Sequence, residues 1–361
     1  MSLSISWVLM PPFIKLMTKF KILDKAGGRK IHDGYTAHMG GIIIYIAIAV
    51  SVLAMSFVYR GECSWTLLLF IGVVVTIMLL VGIRDDLHNI SAWHKLFFEI
   101  AVGIFMSYAG IKLTNLNGFL GIYQIPEWAG YLITTLVFIL IVNAFNLIDG
   151  IDGQAGLQAL NFFFFCGLFL TTVLNKDIDT TSSVSPLFVY ICCVAIIGAI
   201  LGYLRYNWQP AQIFMGDAGS LLIGTLITIF LIICIKYNFA VHQMPDHFFT
   251  ATIAPFFYFF YIPIADTVRV FFYRARHGRS PFCPDNAHIH YLLLNKGFSH
   301  QRCALTLFFT SVAISIAGIV LSVYFDDNIC VAIYVISWFI YLGLIHKFLM
   351  KPLAKTKEQN S

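Results

Sequence analysis

Eleven stretches of apolar residues, each close to the ~20 that a bilayer crossing needs, dominate this 361-residue chain and leave little between them. They lie roughly at 2–20, 38–59, 65–83, 93–113, 128–148, 157–174, 185–204, 213–235, 249–272, 303–325 and 329–349. With 59% apolar and only 11% charged residues, and a mean hydropathy of +0.82, the pattern predicts an all-α, polytopic integral membrane protein of about eleven transmembrane helices. The first stretch is interrupted by Pro11, Pro12 and Lys15. It is kept as a helix, since no basic region precedes it and no small-residue cleavage site follows, as a secretory leader would require.

Orientation follows from the short loops, because Lys and Arg collect on the cytoplasmic side. One set of alternate loops holds Lys21, Lys25, Arg29, Lys30, Arg84, Lys95, Arg205, Arg274, Arg276, Arg279, Lys296 and Arg302, with Lys351, Lys355 and Lys357 in the tail. The other set has Arg60, Lys112, Lys176 and Lys236 amid acids such as Glu62, Asp177, Asp326 and Asp327. This asymmetry predicts an N-terminus outside and a C-terminus in the cytoplasm. Residues 1–350 form a single membrane domain in this reading, and 351–361 a short cytoplasmic tail. The net charge of +5 is mostly this topological signal. A nucleic-acid partner would need a basic domain, and the chain has none. Its eight cysteines lack metal-ligand spacing. Cys63 and Cys330 both fall near the outer face, where a disulfide is an option.

The unusual residues fall on one side of that topology. Asn143, Asn146, Asp149, Gly150, Asp152 and Gly153 follow about fifteen apolar residues. Carboxylates cost several kcal/mol at membrane depth and rarely sit there without a task. Oxygen-rich side chains beside flexible glycine suit a hard cation that carries phosphate, or else a polar turn that ends a helix. Asn143, Asn146, Asp149 and Asp152 are spaced by three, which shares one helix face; Gly150 and Gly153 favour a break instead. Asp85 and Asp86 end the third segment, pointing ~100° apart, so one can face a site while the other holds Lys95 or backbone. They can equally be acids that balance Arg84. Asp217, in Gly216-Asp-Ala-Gly-Ser220, opens the eighth segment, as an N-cap or as a metal ligand. His288 and His290 lie near Arg274, Arg276, His277 and Arg279, a set that fits diphosphate binding or simply a positive cytoplasmic loop. All four groups land on the cytoplasmic side, where the loops expected to form the site lie at about 21–37, 84–92, 149–156, 205–217 and 273–302. Random polar turns would be divided between the two faces; one surface for binding or catalysis explains the pattern better.

In series, these motifs resemble those of the polyprenyl-phosphate N-acetylhexosamine-1-phosphate transferases, most closely the WecA-type members. The resemblance covers nearly the whole chain. It takes in Asp24-Lys25, Arg29-Lys30 with His32, Gly40-Gly41, Asp85-Asp86 with Lys95, and Asn143 through Gly153. It continues through Phe214 to Ser220, Ser280 to Asp285, and His288-Ile-His290. Two positions depart: Ala37 stands where the family has proline, and Tyr291 where a third histidine is common.

The resemblance implies transfer of GlcNAc-1-phosphate from UDP-GlcNAc to undecaprenyl phosphate, releasing UMP. This would be the first membrane step of lipid-linked O antigen, enterobacterial common antigen or a related envelope polymer, at the bacterial inner membrane with the site facing the cytoplasm. It also implies Mg²⁺, with Mn²⁺ as the alternative, and leaves a homodimer open. Asp217 is then the first choice of metal ligand and Asn146 the second. Lys95, His288 and His290 would hold the diphosphate, and Asp149 and Asp152 would organise the nucleotide. Asn143 would join them, and Arg274, Arg276, His277 and Arg279 are candidates for sugar choice. One of Asp85 and Asp86 would orient the acceptor in a direct displacement, a covalent aspartyl-phosphate being the competing route. The same fold with another UDP-HexNAc or with UDP-MurNAc-pentapeptide is the nearest rival. An ion-coupled transporter is a different class, whose acids usually sit near the midplane in repeated halves. A structural scaffold would leave the aspartates unexplained.

Overall fold

The computed structural model describes residues 1–24, 36–174, 176, 185–278 and 287–345. Among the described residues, all eleven apolar stretches fall largely on helix. The long helices are α1 (Ser2–Lys19), α2 (Gly41–Val58), α3 (Trp65–His88), α4 (Ala92–Tyr108), α5 (Glu127–Ile148), α6 (Gln154–Val173), α7 (Pro186–Asn207) and α8 (Gly216–His242). The chain then continues with α9 (Ala254–Tyr258), α10 (Tyr261–Arg276), α11 (Ile289–Asn295), α12 (His300–Tyr324) and α13 (Asp327–Leu344). Eight of these are long and apolar enough to cross a bilayer, namely α2, α3, α5 to α8, α12 and α13, so this is a multi-pass membrane protein.

The remaining three stretches differ from the simple expectation. Helix α1 runs unbroken through Pro11 and Pro12. Helix α4 has 17 residues. The ninth stretch is not one helix: it parts at Phe259–Phe260 into α9 and α10. Pro263 explains the break, since it has no N–H to give to the carbonyl four residues back and sits comfortably only in a first turn. Nor is the chain wholly helical. Leu23–Asp24 (β1) pairs antiparallel with Thr36–Ala37 (β2), and Asn115–Phe119 (β3) with Ile122–Gln124 (β4). Leu120 and Gly121, between β3 and β4, both have positive φ (55° and 76°), the backbone a tight hairpin turn asks for.

Helix α8 is the axis of the bundle: α2, α3, α5 and α6 pack around it, and nearly all its side chains are buried. In lipid the packing of small residues replaces much of the hydrophobic drive that holds soluble helices together. Two glycines show how close the approach is. A Cβ on Gly41 would lie 2.2 Å from the Gly219 backbone, and one on Gly82 would lie 2.4 Å from the Asp217 carbonyl oxygen. The start of α8 is also tied by backbone. Phe214 N–H donates to Ala37 O (2.9 Å), Gly40 N–H to Phe214 O (2.9 Å) and Gly41 N–H to Met215 O (3.1 Å). The entries to α2 and α8 are therefore fixed together.

At the other end of the bundle Asp327 opens α13. Its carboxylate accepts from Thr252 N–H and Oγ1–H, Ile253 N–H and Ala254 N–H at 2.7–2.9 Å, capping α9 from a different helix. Cys63 and Cys330, the pair for which a disulfide was an option, are both free thiols.

Candidate active site

Helix α5 ends at Ile148, and Asp149 is its C-cap. Gly153, at φ +77°, turns the chain into α6. The break at the glycines therefore prevails over a continuous helix. Asn143 and Asn146 stay on the last turns of α5, while Asp149 and Asp152 stand in the turn beyond. That turn, the last turn of α3 and the first turn of α8 enclose a cavity of about 750 Å³. Asp85, Asp86, Asn146, Asp149, Asp152 and Asp217 line it, with His38, Asn207, Phe214 and His300.

The two adjacent aspartates have different tasks. Asp86 Oδ1 accepts the Asp217 N–H (2.8 Å) and Oδ2 the Ala218 N–H (3.0 Å). It thus caps α8 from α3, satisfying two of the four N–H groups a helix start leaves unpaired. His38 Nδ1 lies 3.5 Å from the same carboxylate. Asp85 accepts the Ile90 N–H (2.8 Å), which closes the turn into α4, and pairs with Lys95. Lys95 Nζ also reaches Asp217 Oδ2 at 3.1 Å. Asn146 Nδ2 donates to Asp217 Oδ1 and to Ser220 Oγ (2.8 Å). Asp85, Lys95, Asp217 and Asn146 are therefore one connected cluster drawn from four helices. Asn143 donates to the buried Glu99 (2.7 Å), one turn along α4 from Lys95.

The histidine motif takes a different place. Asp266 of α10 accepts from Arg269 (2.6 and 3.1 Å), His288 Nδ1 (2.8 Å) and the Ile289 N–H (3.1 Å), which anchors the start of α11. His290 is fully buried, and burial lowers its pKa to about 3. A Cβ on Gly150 would lie 2.2 Å from His290 Nε2, so this ring supports the Asp149–Asp152 turn from behind. Neither His288 nor His290 lines the cavity. Arg274 is buried and Arg276 exposed near the end of α10, and neither joins the cavity wall. Arg279, the Ser280–Asp285 segment, Arg29, Lys30, His32 and the 351–361 tail lie outside the described residues.

Residues 67–235 match the model of glycosyl transferase family 4. A Bacillus subtilis protein named as a probable undecaprenyl-phosphate N-acetylglucosaminyl 1-phosphate transferase is 30% identical over 321 residues, which is 87% of this chain and 81% of that protein. The chain belongs to this family. An Escherichia coli K12 undecaprenyl-phosphate alpha-N-acetylglucosaminyl 1-phosphate transferase is 29% identical, across 91% of this chain and 84% of its own length. A Mycolicibacterium smegmatis decaprenyl-phosphate N-acetylglucosaminephosphotransferase is 30% identical, across 83% and 75%. The span matched by the family model takes in Asp85, Asp86, Lys95, Asn143, Asn146, Asp149, Asp152 and Asp217. Arg274, Arg276, His288 and His290 lie beyond it.

Several residues that shape this family member's cavity carry no motif. Glu99 shows only as an acid inside an apolar helix, and Asp266 likewise. His38, Asn207 and His300 look in sequence like ordinary polar residues at helix ends. Asn207 accepts the Gly153 N–H (2.9 Å) and donates to Ile213 O (2.8 Å), stitching the two turns together. Among the described residues no group of three or more His, Cys, Asp or Glu forms a cage for a metal held by protein alone. The oxygens around Asp217 fit a hard cation that takes most of its ligands from phosphate and water. The Lys95 ammonium, between Asp85 and Asp217, already stands where positive charge is called for.

Proposed function

We propose that this protein transfers GlcNAc-1-phosphate from UDP-GlcNAc to undecaprenyl phosphate, giving the lipid-linked diphospho-sugar and UMP. The cavity would face the cytoplasm, at the bacterial inner membrane. The observation that carries this reading is the cluster of Asp85, Asn146 and Asp217 in the wall of a cavity at one end of a membrane helix bundle, with Lys95 paired to two of them from behind that wall. A nucleotide sugar is a water-soluble anion and a polyprenyl phosphate is held by the membrane. They can meet only at such a boundary. The names of the B. subtilis, E. coli and M. smegmatis relatives support the same class of donor and acceptor.

In this reading an acceptor phosphate oxygen attacks the β-phosphorus of the donor; the β-phosphorus to bridging-oxygen bond breaks and UMP leaves. The barrier is mainly electrostatic, so positioning and charge neutralisation do most of the work. The acceptor's second pKa is near ~6, so most of it is already a dianion and gains little from a general base. Asp86 has both oxygens on backbone N–H groups of α8, whereas one oxygen of Asp85 meets only the Lys95 side chain, which can move; Asp85 would be the aspartate that orients the acceptor. Lys95, released from Asp217, would meet the donor diphosphate. Mg²⁺ would be held by Asp217 with the Asn146 amide oxygen, and would supply the neutralising charge at the diphosphate. Asp149 and Asp152 would seat the nucleotide.

The decisive test adds UDP-[³H]GlcNAc, undecaprenyl phosphate and Mg²⁺ to membranes from a host without its own such transferase. Label in butanol-extractable lipid, with UMP released, is expected from the wild type and is lost in Asp217→Asn at normal expression. Label from UDP-GalNAc instead would move the donor assignment, and none from any UDP-HexNAc would sink the reading.

A further inference from the structure

We propose that His300 is a donor-binding residue: an imidazole set beside Asp152 in the cavity wall that donates to a phosphate oxygen of the bound nucleotide sugar. This rests on the reading that the donor is a nucleoside diphosphate sugar.

Charge is the first ground. Five carboxylates line the cavity, and a diphosphate must enter among them. The described lining residues that can carry positive charge are Lys21, His38 and His300. His38 lies against Asp86, and Lys95 serves Asp85 and Asp217. Beside Asp152, the basic side chain on the wall is His300. Its Nδ1 is 3.4 Å from Asp152 Oδ1.

Placement is the second ground. His300 is 8% exposed yet lines the cavity, and the segments on either side of it are tied down. Ser299 caps α12 by accepting the Arg302 N–H (3.2 Å), and the Gln301 N–H donates to Gln209 Oε1 (2.9 Å). Asp152 Oδ2 accepts the Ala211 N–H (3.2 Å). The first turn of α12, the 207–213 segment and the Asp152 turn thus form one wall, built before substrate arrives. A preset donor loses little freedom on binding.

The experiment uses the full-length protein purified in detergent, with UMP binding measured by calorimetry. Initial rates are taken with donor and acceptor varied separately. His300→Ala should raise the donor KM and the UMP Kd about tenfold, leave the acceptor KM unchanged, and melt within a few degrees of wild type. His300→Lys should recover most of the loss. Unchanged donor KM and UMP Kd in folded His300→Ala would overturn the proposal while the transfer reaction stood. Should His300→Ala not fold, His300→Phe takes its place, a ring of similar size that cannot donate: a UMP Kd raised about tenfold supports the proposal, and an unchanged one overturns it. Wild type that binds UMP in a His300-dependent way but labels no lipid would sink the transfer reaction and leave His300 in place.

Discussion

Asp85 and Asp86 are neighbours with the same functional group, and what separates their roles is the direction each takes from one helix turn. Asp86 meets two backbone N–H groups of α8, while Asp85 meets Lys95. Lys95 is therefore the cation on which Asp85 and Asp217 both depend. Lys95→Met should lower kcat by about 10²-fold or more, on the scale of losing one preset charge-stabilising donor. Label transfer by membranes of equal protein content measures it; a loss of less than threefold would remove Lys95 from the site. His290 offers a separate test in pH. Burial lowers its folded pKa from 6.5 to about 3. Between those values the unfolded chain binds the proton and the folded one does not. Stability from this group is complete above pH 6.5 and declines as pH falls, by up to about 1.4 kcal/mol per unit. Melting in detergent should drop between pH 7.5 and 5.5, and His290→Leu should flatten that slope.

At the scale of helices, one element carries two kinds of glycine. Gly82 of α3 faces α8, where an added Cβ would meet Ala218 backbone at 2.5 Å, whereas nothing lies within 4 Å of a Cβ on Gly72. Gly82→Val should destabilise by about 3 kcal/mol or more, since backbone must move to admit it. Gly72→Ala should be neutral or stabilising by about 0.5–1 kcal/mol. Yield and melting of the two variants side by side decide it; equal behaviour would mean that α3 does not pack on α8 as described. Asp327 tests the far end in the same way. Asp327→Ala would leave four donors from Thr252, Ile253 and Ala254 without their acceptor, at a cost of about 3 kcal/mol or more. The lipid-labelling activity of protein that still folds should remain near wild type, because the lesion lies at the end away from the cavity.

Across the whole molecule, the helices were legible because lipid makes their signal long and plain. Predicted ends fall within a few residues of most observed ones; α3 extends from the predicted 83 to His88 and α8 from 235 to His242. The break between α9 and α10 was not legible, because the composition stays apolar across it and only Pro255 and Pro263 mark it. Asp85, Asn146, Asp149, Asp152 and Asp217 could be grouped in advance, since intramembrane acids stand out. What sequence withheld was direction: that Asp86 would turn to backbone, that His290 would go behind Gly150, and that Glu99 and His300 would come close to the motifs. Those depend on contacts between helices far apart in the chain. Contacts of that kind also impose a schedule. About 180 residues separate Gly41 from Gly219, the glycine against which it packs. At a synthesis rate of roughly 5–20 residues per second, α2 waits roughly ten to forty seconds in the bilayer before α8 arrives to cover it. A ribosome that stalls before residue 216 would release a chain holding Asp85, Asp86, Asp149 and Asp152 but no α8 around which to arrange them. The cavity is one of the last features this protein acquires during its own biosynthesis.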